Sequence, residues 1–301
     1  MRVTTPKAPK EAKQNKWEDD MLPATWQLWL DGPADLVSVL SVPPSREDSA
    51  QRERELSALN VRTGFYGASE PVAKELILKG WPIGAKLVES LAERISEKLP
   101  LPKSRRRTRK WSEDGDEVDL DRLRNNQDAW NSSHRVLRSA CGLIELVASW
   151  GEGCNASQEQ LQWSGAAALA VTDMLEKADY AVELALVAAM RSSIVELVRV
   201  DLKRMGEAVD LEKLAAIAVY PPAWRIYGLA AFQLGPASSG DSYNDHPHAR
   251  ALDFDPNGMW NYRPNVMTVT LQGSRSESEA ISNATQALLT IQSLVNPQEA
   301  E

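Results

Sequence analysis

The 301-residue sequence is poor in cysteine, histidine and phenylalanine, with two, three and three of each. Cys141 and Cys154 are too few for a disulfide framework, and nothing points to secretion. The basic N-terminus is not followed by an apolar segment, so no signal peptide is expected. The longest apolar run, Gly165 to Val171, falls far short of the ~20 residues needed to span a bilayer, so no membrane association is expected. These absences together make the cytoplasm the expected compartment. No G-x-S-x-G elbow, Walker A loop, H-E-x-x-H helix or C-x-x-C pair occurs, so the common hydrolase, nucleotidase and zinc motifs are missing. The net charge of −8 argues against attraction of the whole chain to nucleic acid or an anionic membrane, although a local basic patch could still bind either.

Tryptophan, by contrast, is abundant, with ten residues. Its ring suits half-buried packing and contact surfaces, and the simplest expectation is packing within and between domains. Residues 1–22 are rich in Lys, Pro and Glu and read as a disordered tail. Residues 23–102 read as a helical N-terminal region. Asp31-Gly32-Pro33 breaks the segment after Trp26 and Trp29, and a helix is expected from Ala34 to Leu40. The charged stretch Arg46 to Leu59 reads as an exposed helix. Another helix is expected after Ser69, with Pro71 in its first turn and Gly80 at its end. Leu87, Val88, Leu91 and Ile95 then mark one face of a helix that Pro100 and Pro102 close.

Residues 103–135 read as a charged linker. Lys103 to Lys110 holds six basic residues in eight, and Ser112 to Arg122 holds six acidic residues in eleven. The two runs can neutralise each other. Alternatively Arg105, Arg106, Arg107, Arg109 and Lys110 form a phosphate-contacting strip, which would make this a nucleic-acid-associated protein. Asp116, Asp119 and Arg122 would share a face if their segment were helical.

From residue 136 the pattern changes to alternating strands and helices. Strands are expected at Leu143–Ala148, in YAVELALVAAM, in IVELVRVDL and in NVMTVTLQG. Helices are expected at Ser157–Lys177, Leu211–Val219 and Glu277–Leu294. This alternation predicts an α/β, Rossmann-like fold with a largely parallel sheet and helices on both faces. The Gly-, Ser- and Asp-rich stretch 234–264 reads as a long loop. It carries His246 and His248 beside Asp245, candidates for a metal site or general base in a metal-dependent hydrolase.

The turn after the first of these strands reads Ser149-Trp150-Gly151-Glu152-Gly153, with a helix starting near Ser157. Strand, turn and helix resemble the start of a von Willebrand factor A domain, where an Asp-x-Ser-x-Ser loop binds a divalent cation through oxygen. Here Ser149 stands for the Asp, and Gly151 and Gly153 stand for the serines, so the cation chemistry is lost while the turn is kept. No metal or other cofactor is expected. The turn also nearly matches G-x-G-x-x-G with Ala156 in third place, but a lone near-match is a weak dinucleotide signal.

The stretch from Trp81 onward also resembles an uncharacterised domain family of phages and actinobacterial mobile elements. The shared landmarks are Gly80-Trp81-Pro82, Gly115 to Arg122, the Gly165-Ala166-Ala167 helix, and Leu197 to Phe232 with Arg199, Asp201, Lys203, Asp210, Pro221 and Arg225. The resemblance implies a von Willebrand factor A-like core over residues 136–301 and a phage origin. It supplies no activity; the loss of the cation ligands at Ser149, Gly151 and Gly153 is what points to a non-enzymatic protein-binding or scaffold protein, and by resemblance alone an AAA-type ATPase is one class of protein partner. The expected partner-binding rim is Ser149, Trp150, Gly151, Glu152, Gly273 and Ser274, where open α/β sheets bind ligands.

Overall fold

The structure, a computed structural model, describes residues 2–4, 26–42, 67–101, 110–112, 117–118, 123–124, 130–132, 143–150, 157–178, 180–191, 195–232, 234, 266–271 and 273–295. Arg46 to Leu59, the run Arg105, Arg106, Arg107 and Arg109, Gly151, Glu152, and His246 with His248 lie outside the described residues.

The main sheet has six strands. In chain order they are β1 (Arg2–Thr4), β2 (Trp26–Leu30), β6 (Leu143–Ser149), β7 (Val182–Arg191), β8 (Val195–Lys203) and β9 (Val266–Leu271). Their spatial order is β1-β2-β8-β7-β6-β9. Strands β7, β6 and β9 run parallel. Strand β8 is antiparallel to β7 and parallel to β2, so the sheet is mixed. The chain is α/β, as expected, but the sheet is less parallel than the alternation of elements implied. Only three residues separate β7 from β8, and a parallel return needs a crossover of a dozen or more.

Strand β1 lies at the start of the stretch expected to be a disordered tail. It pairs antiparallel with β2, from Arg2 opposite Trp29 to Thr4 opposite Gln27. Backbone pairing needs no apolar side chains, so composition did not signal it. The stretch expected as a charged linker holds a second sheet of β3 (Lys110–Ser112), β4 (Glu117–Val118) and β5 (Trp130–Ser132), with β5 antiparallel to both neighbours. Glu117 is therefore in a strand, not on a helix.

The helices are α1 (Pro33–Ser38), α2 (Glu70–Lys79), α3 (Pro82–Lys98), α4 (Gln158–Lys177), α5 (Leu211–Ala218), α6 (Leu229–Phe232) and α7 (Glu277–Val295). A 3-10 turn follows α1, and a π-helical turn, Ala223–Gly228, precedes α6. Helix α4 opens with a capping box: the Ser157 hydroxyl accepts from the Gln160 amide, while the Gln160 side chain accepts from the Ser157 amide. At α5 the Asp210 carboxylate accepts from the Lys213 amide. The Lys213 ammonium at the same carboxylate holds its pKa below the usual value. Helix α2 ends at Gly80, whose φ of 111° suits glycine and lets the chain pass against Glu212 of α5.

Helix α4 lies over β6, β7 and β9 and also packs against α3, α5 and α7. It is buried continuously from Ser164 to Leu175. A helix covered on several sides needs small residues, and Gly165, Ala166, Ala167, Ala168 and Ala170 provide them. At Gly165 a β-carbon would stand 1.7 Å from the Ala218 carbonyl oxygen of α5. Strand side chains alternate accordingly: Ile144, Leu146 and Ala148, with Leu184, Leu186, Val198, Val200, Leu28 and Leu30, join the helices in one core. Leu28 and Val88 belong to that same core, so the N-terminal stretch shares it with the strands after residue 142. The helices were expected on both faces. Among the described residues they gather on this one, because α4, α3, α5 and α7 pack on one another rather than being divided by the sheet.

The Gly165 contact yields a prediction. Gly165→Ala gains helix propensity but forces α4 and α5 apart. Urea unfolding is expected to show a net loss of about 1–3 kcal/mol, and an unchanged or raised midpoint would contradict the close approach.

Candidate functional site

Two regions concentrate polar chemistry. The first is the expected rim at the C-terminal ends of β6 and β9. Ser149 closes β6, is half-buried, and pairs with Val187. Trp150 is turned inward instead of being displayed, with only 3% of its surface exposed. Its backbone N–H donates to the Val187 carbonyl (2.7 Å) and its indole N–H to the Ile217 carbonyl of α5 (3.2 Å). The ring meets Trp224 edge-on, with centroids 5.2 Å apart, and Trp224 meets Phe232 in turn. Trp150 thus continues the helix-side alternation of Ile144, Leu146 and Ala148 for one more residue. That period-2 count was the available signal for its burial.

Gly273 and Ser274 follow β9. Ser274 is fully buried. Its backbone N–H donates to the Ser164 hydroxyl of α4 (2.7 Å). That hydroxyl in turn donates to the Ser274 carbonyl (3.3 Å). Asn283 of α7 donates its amide to the Gly273 carbonyl (3.3 Å) and to the Ser274 hydroxyl (3.1 Å). The loop is therefore fastened to both flanking helices, and the rim is held by buried hydrogen bonds on the β9 side and by an aromatic anchor on the β6 side.

The second region was not marked as a site by sequence reasoning. Strand β8 sends Arg199 and Asp201 to the sheet face away from the helices. There the Arg199 guanidinium donates from Nε to Asp201 (2.6 Å) and from Nη2 to Oε1 of Glu145 on β6 (2.8 Å). Strand β7 lies between β8 and β6, so the Arg199 side chain crosses it. The guanidinium also lies 4.7 Å from the ring centre of Trp29 on β2. Oε2 of Glu145 accepts from the Thr268 hydroxyl of β9 (3.1 Å). One cluster thus connects β2, β8, β6 and β9. The Arg199 and Glu145 side chains are 8% and 9% exposed.

A third buried charge, Lys203, ends β8. Its ammonium donates to Glu176 at the end of α4 (2.6 Å) and to the Val182 and Arg204 carbonyls (2.8 and 3.3 Å). The signal for these groups was present: Glu145 lies within Leu-Ile-Glu-Leu-Val, and Arg199 and Asp201 occupy alternate places in Val-Arg-Val-Asp-Leu. Charges embedded in apolar strands are buried only when paired.

Both Glu145 oxygens accept hydrogen bonds, one from Arg199 and one from Thr268, so the carboxylate is held in place by strands on both sides of it. Among the described residues no three His, Cys, Asp or Glu side chains gather as a metal site. Lys110 of the basic run lies in β3. Burial pushes the Tyr227 hydroxyl pKa well up, and Glu70, which accepts its hydrogen bond (3.0 Å), adds to the shift. Tyr227 is therefore a neutral donor at physiological pH.

Glu145→Ala would remove one of the two carboxylates that hold the buried Arg199 guanidinium, leaving Asp201, and is expected to destabilise by about 1.5–3 kcal/mol in chemical unfolding. Arg199→Lys should also destabilise, because an ammonium cannot reproduce two directed donors together with ring stacking. Equal stability of Arg199→Lys and the parent would contradict the cluster. Trp150→Ala is expected to cost about 3–5 kcal/mol in the same assay, as a core truncation.

No helix among the described residues is long and apolar enough to cross a membrane. No curated protein and no solved structure matches the chain. A family model described as a domain of unknown function, DUF7192, matches residues 18–257, well over half of the sequence, and the chain belongs to that family.

Proposed function

We propose that this chain is a non-enzymatic protein-binding or scaffold protein that acts in the cytoplasm and recognises its partner at the rim above β6 and β9. The carrying observation is the fastened loop after β9, where Ser164 of α4 and Asn283 of α7 hold Gly273 and Ser274 in one arrangement. A loop whose backbone is already held, as at Gly273 and Ser274, loses less freedom on binding than one that must be fixed first. Its place also favours binding, since β6 has parallel neighbours on both sides, and open α/β sheets take ligands beyond the carboxyl ends of such strands.

The Glu145–Arg199–Asp201 cluster supports the non-enzymatic side of the proposal, because both carboxylates are held by the one Arg199 guanidinium, as in a structural ion-pair network. The resemblance of the β6 strand, turn and helix supports a von Willebrand factor A-like core with a degenerate cation loop. The separate resemblance of the stretch from Trp81 onward to a phage and mobile-element family supports a phage origin, and the A-domain likeness supports a protein partner, with an AAA-type ATPase as one class. Ser149, Gly151, Glu152 and Gly273 are the contact candidates on this rim. Trp150 acts beneath it as support.

The test is co-purification of the full chain from its native host, repeated with Ser149→Lys and Glu152→Lys together. A specific protein partner is expected, with its capture lowered by roughly tenfold or more in the variant and the unfolding midpoint little changed. Stoichiometric Mg²⁺, Mn²⁺ or Zn²⁺ on the purified chain, lost with His246→Ala and His248→Ala, would replace this reading with a metal enzyme. DNA binding that falls steeply with salt, and vanishes when Arg105, Arg106 and Arg107 become Ala, would replace it with a nucleic-acid-binding one.

A further inference from the structure

The main sheet ends in β1 on one side and β9 on the other. Among the described residues no strand pairs with the outer side of β9. An open edge presents N–H and C=O groups that template pairing with another chain, and edges are commonly guarded by charge, proline, a bulge or short length. β9 has none of these guards. The sequence from Asn265 to Gly273, NVMTVTLQG, contains no charged residue and no proline. Its register with β6 runs without a shift from Val266 to Leu271. Val266, Thr268, Val269 and Thr270 favour an extended strand that fits a neighbour.

We propose that β9 pairs edge to edge and antiparallel with β9 of a second copy of this chain, joining the two sheets across a twofold axis. Charge selects this occupant. The chain carries a net charge of −8, so contact between copies is least opposed where both surfaces are neutral, and this edge is neutral over nine residues. A charged peptide would find no opposite charge here, whereas a second β9 is matched in charge and in pattern.

The side-chain alternation is self-complementary as well. A twofold axis normal to the sheet keeps the helix-bearing faces on one side, so helix-side residues must oppose helix-side residues. Centring the pair on Val269 does this: Val269 faces its own copy, Met267 faces Leu271, and Thr268 faces Thr270. Apolar pairs then fall on the helix side and threonine pairs on the other. Shifting the register by two residues would carry Leu271 past the end of the partner strand in one direction and Met267 past it in the other. Helix α7, which packs on β9, also exposes Leu289 and Leu294, apolar surface on the helix nearest this edge. This interface runs along the outer side of β9, whereas the rim lies beyond the C-terminal ends of β6 and β9 and meets it only at Gly273, so either can fail without the other.

Sedimentation equilibrium of the full chain tests the proposal. The expected mass is twice 33.3 kDa at about 10–100 μM. Thr270→Lys places a cation on each edge and should weaken association by roughly tenfold or more, while Thr270→Val should leave it intact. Register is read separately in a Cys141→Ser, Cys154→Ser background. Val269→Cys should form disulfide-linked dimers on mild oxidation, because directly opposed residues lie within disulfide reach, and Val266→Cys should not. A mass of 33.3 kDa at every concentration overturns the proposal. So does a dimer that Thr270→Lys leaves unchanged and Val269→Cys fails to cross-link.

Discussion

Helix α4 must be small where its neighbours are close, and most of the architecture follows from that constraint. It lies on three strands of the sheet while α3, α5 and α7 pack around it. Larger side chains at Gly165, Ala166, Ala167 and Ala168 would push those helices outward, and the core would lose the dense contact on which its stability depends. The Gly165 approach to the Ala218 carbonyl also fixes where α5 sits. Because α5 supplies the Ile217 carbonyl to the Trp150 indole, the same crossing settles where β6 ends and how the rim is supported. Ser164, one residue before the glycine, reaches the loop after β9. Adjacent residues of one helix thus set the helix packing and anchor the candidate binding edge.

The two faces of the sheet solve different problems. The helix side is a continuous apolar core. The opposite side carries charge, and that charge is buried by pairing rather than by exposure. Arg199 is suited to the task because one planar guanidinium can serve Asp201, Glu145 and the Trp29 ring at once. Buried ion pairs add little net stability compared with apolar packing, but removing one member is costly. With Arg199 crossing β7 to Glu145, β8 and β6 are tied by charge as well as by backbone pairing.

Much of the element list was legible along the chain. Gly80 and Pro82 marked the break between α2 and α3, Ser157 marked the start of α4, and the Leu87–Ile95 spacing marked the buried side of α3. Local rules sufficed there, because caps, breakers and periodicity act over a few residues. The strand Trp26–Leu30 was not legible. Its partner, β8, lies about 170 residues further on, and nothing local to Trp-Gln-Leu-Trp-Leu distinguishes a strand in a shared sheet from a loop beside a helix. The small sheet of β3, β4 and β5 was hidden for a related reason, since charged composition there outweighed a weak strand pattern.

The sequence by itself determined that the chain is α/β, where most helices begin and end, and that the turn after Ala148 lacks the carboxylate and hydroxyls of a cation loop. These are properties of residue type and short spacing. Only the tertiary structure decided that β8 turns antiparallel within a sheet continued by β2, that the described helices share one face, and that Trp150 supports the rim from within. It also brought Glu145, Arg199, Asp201 and Thr268 together from three separate strands. Burial and ion pairing depend on which distant segments meet, and that is set by the packing of the whole chain.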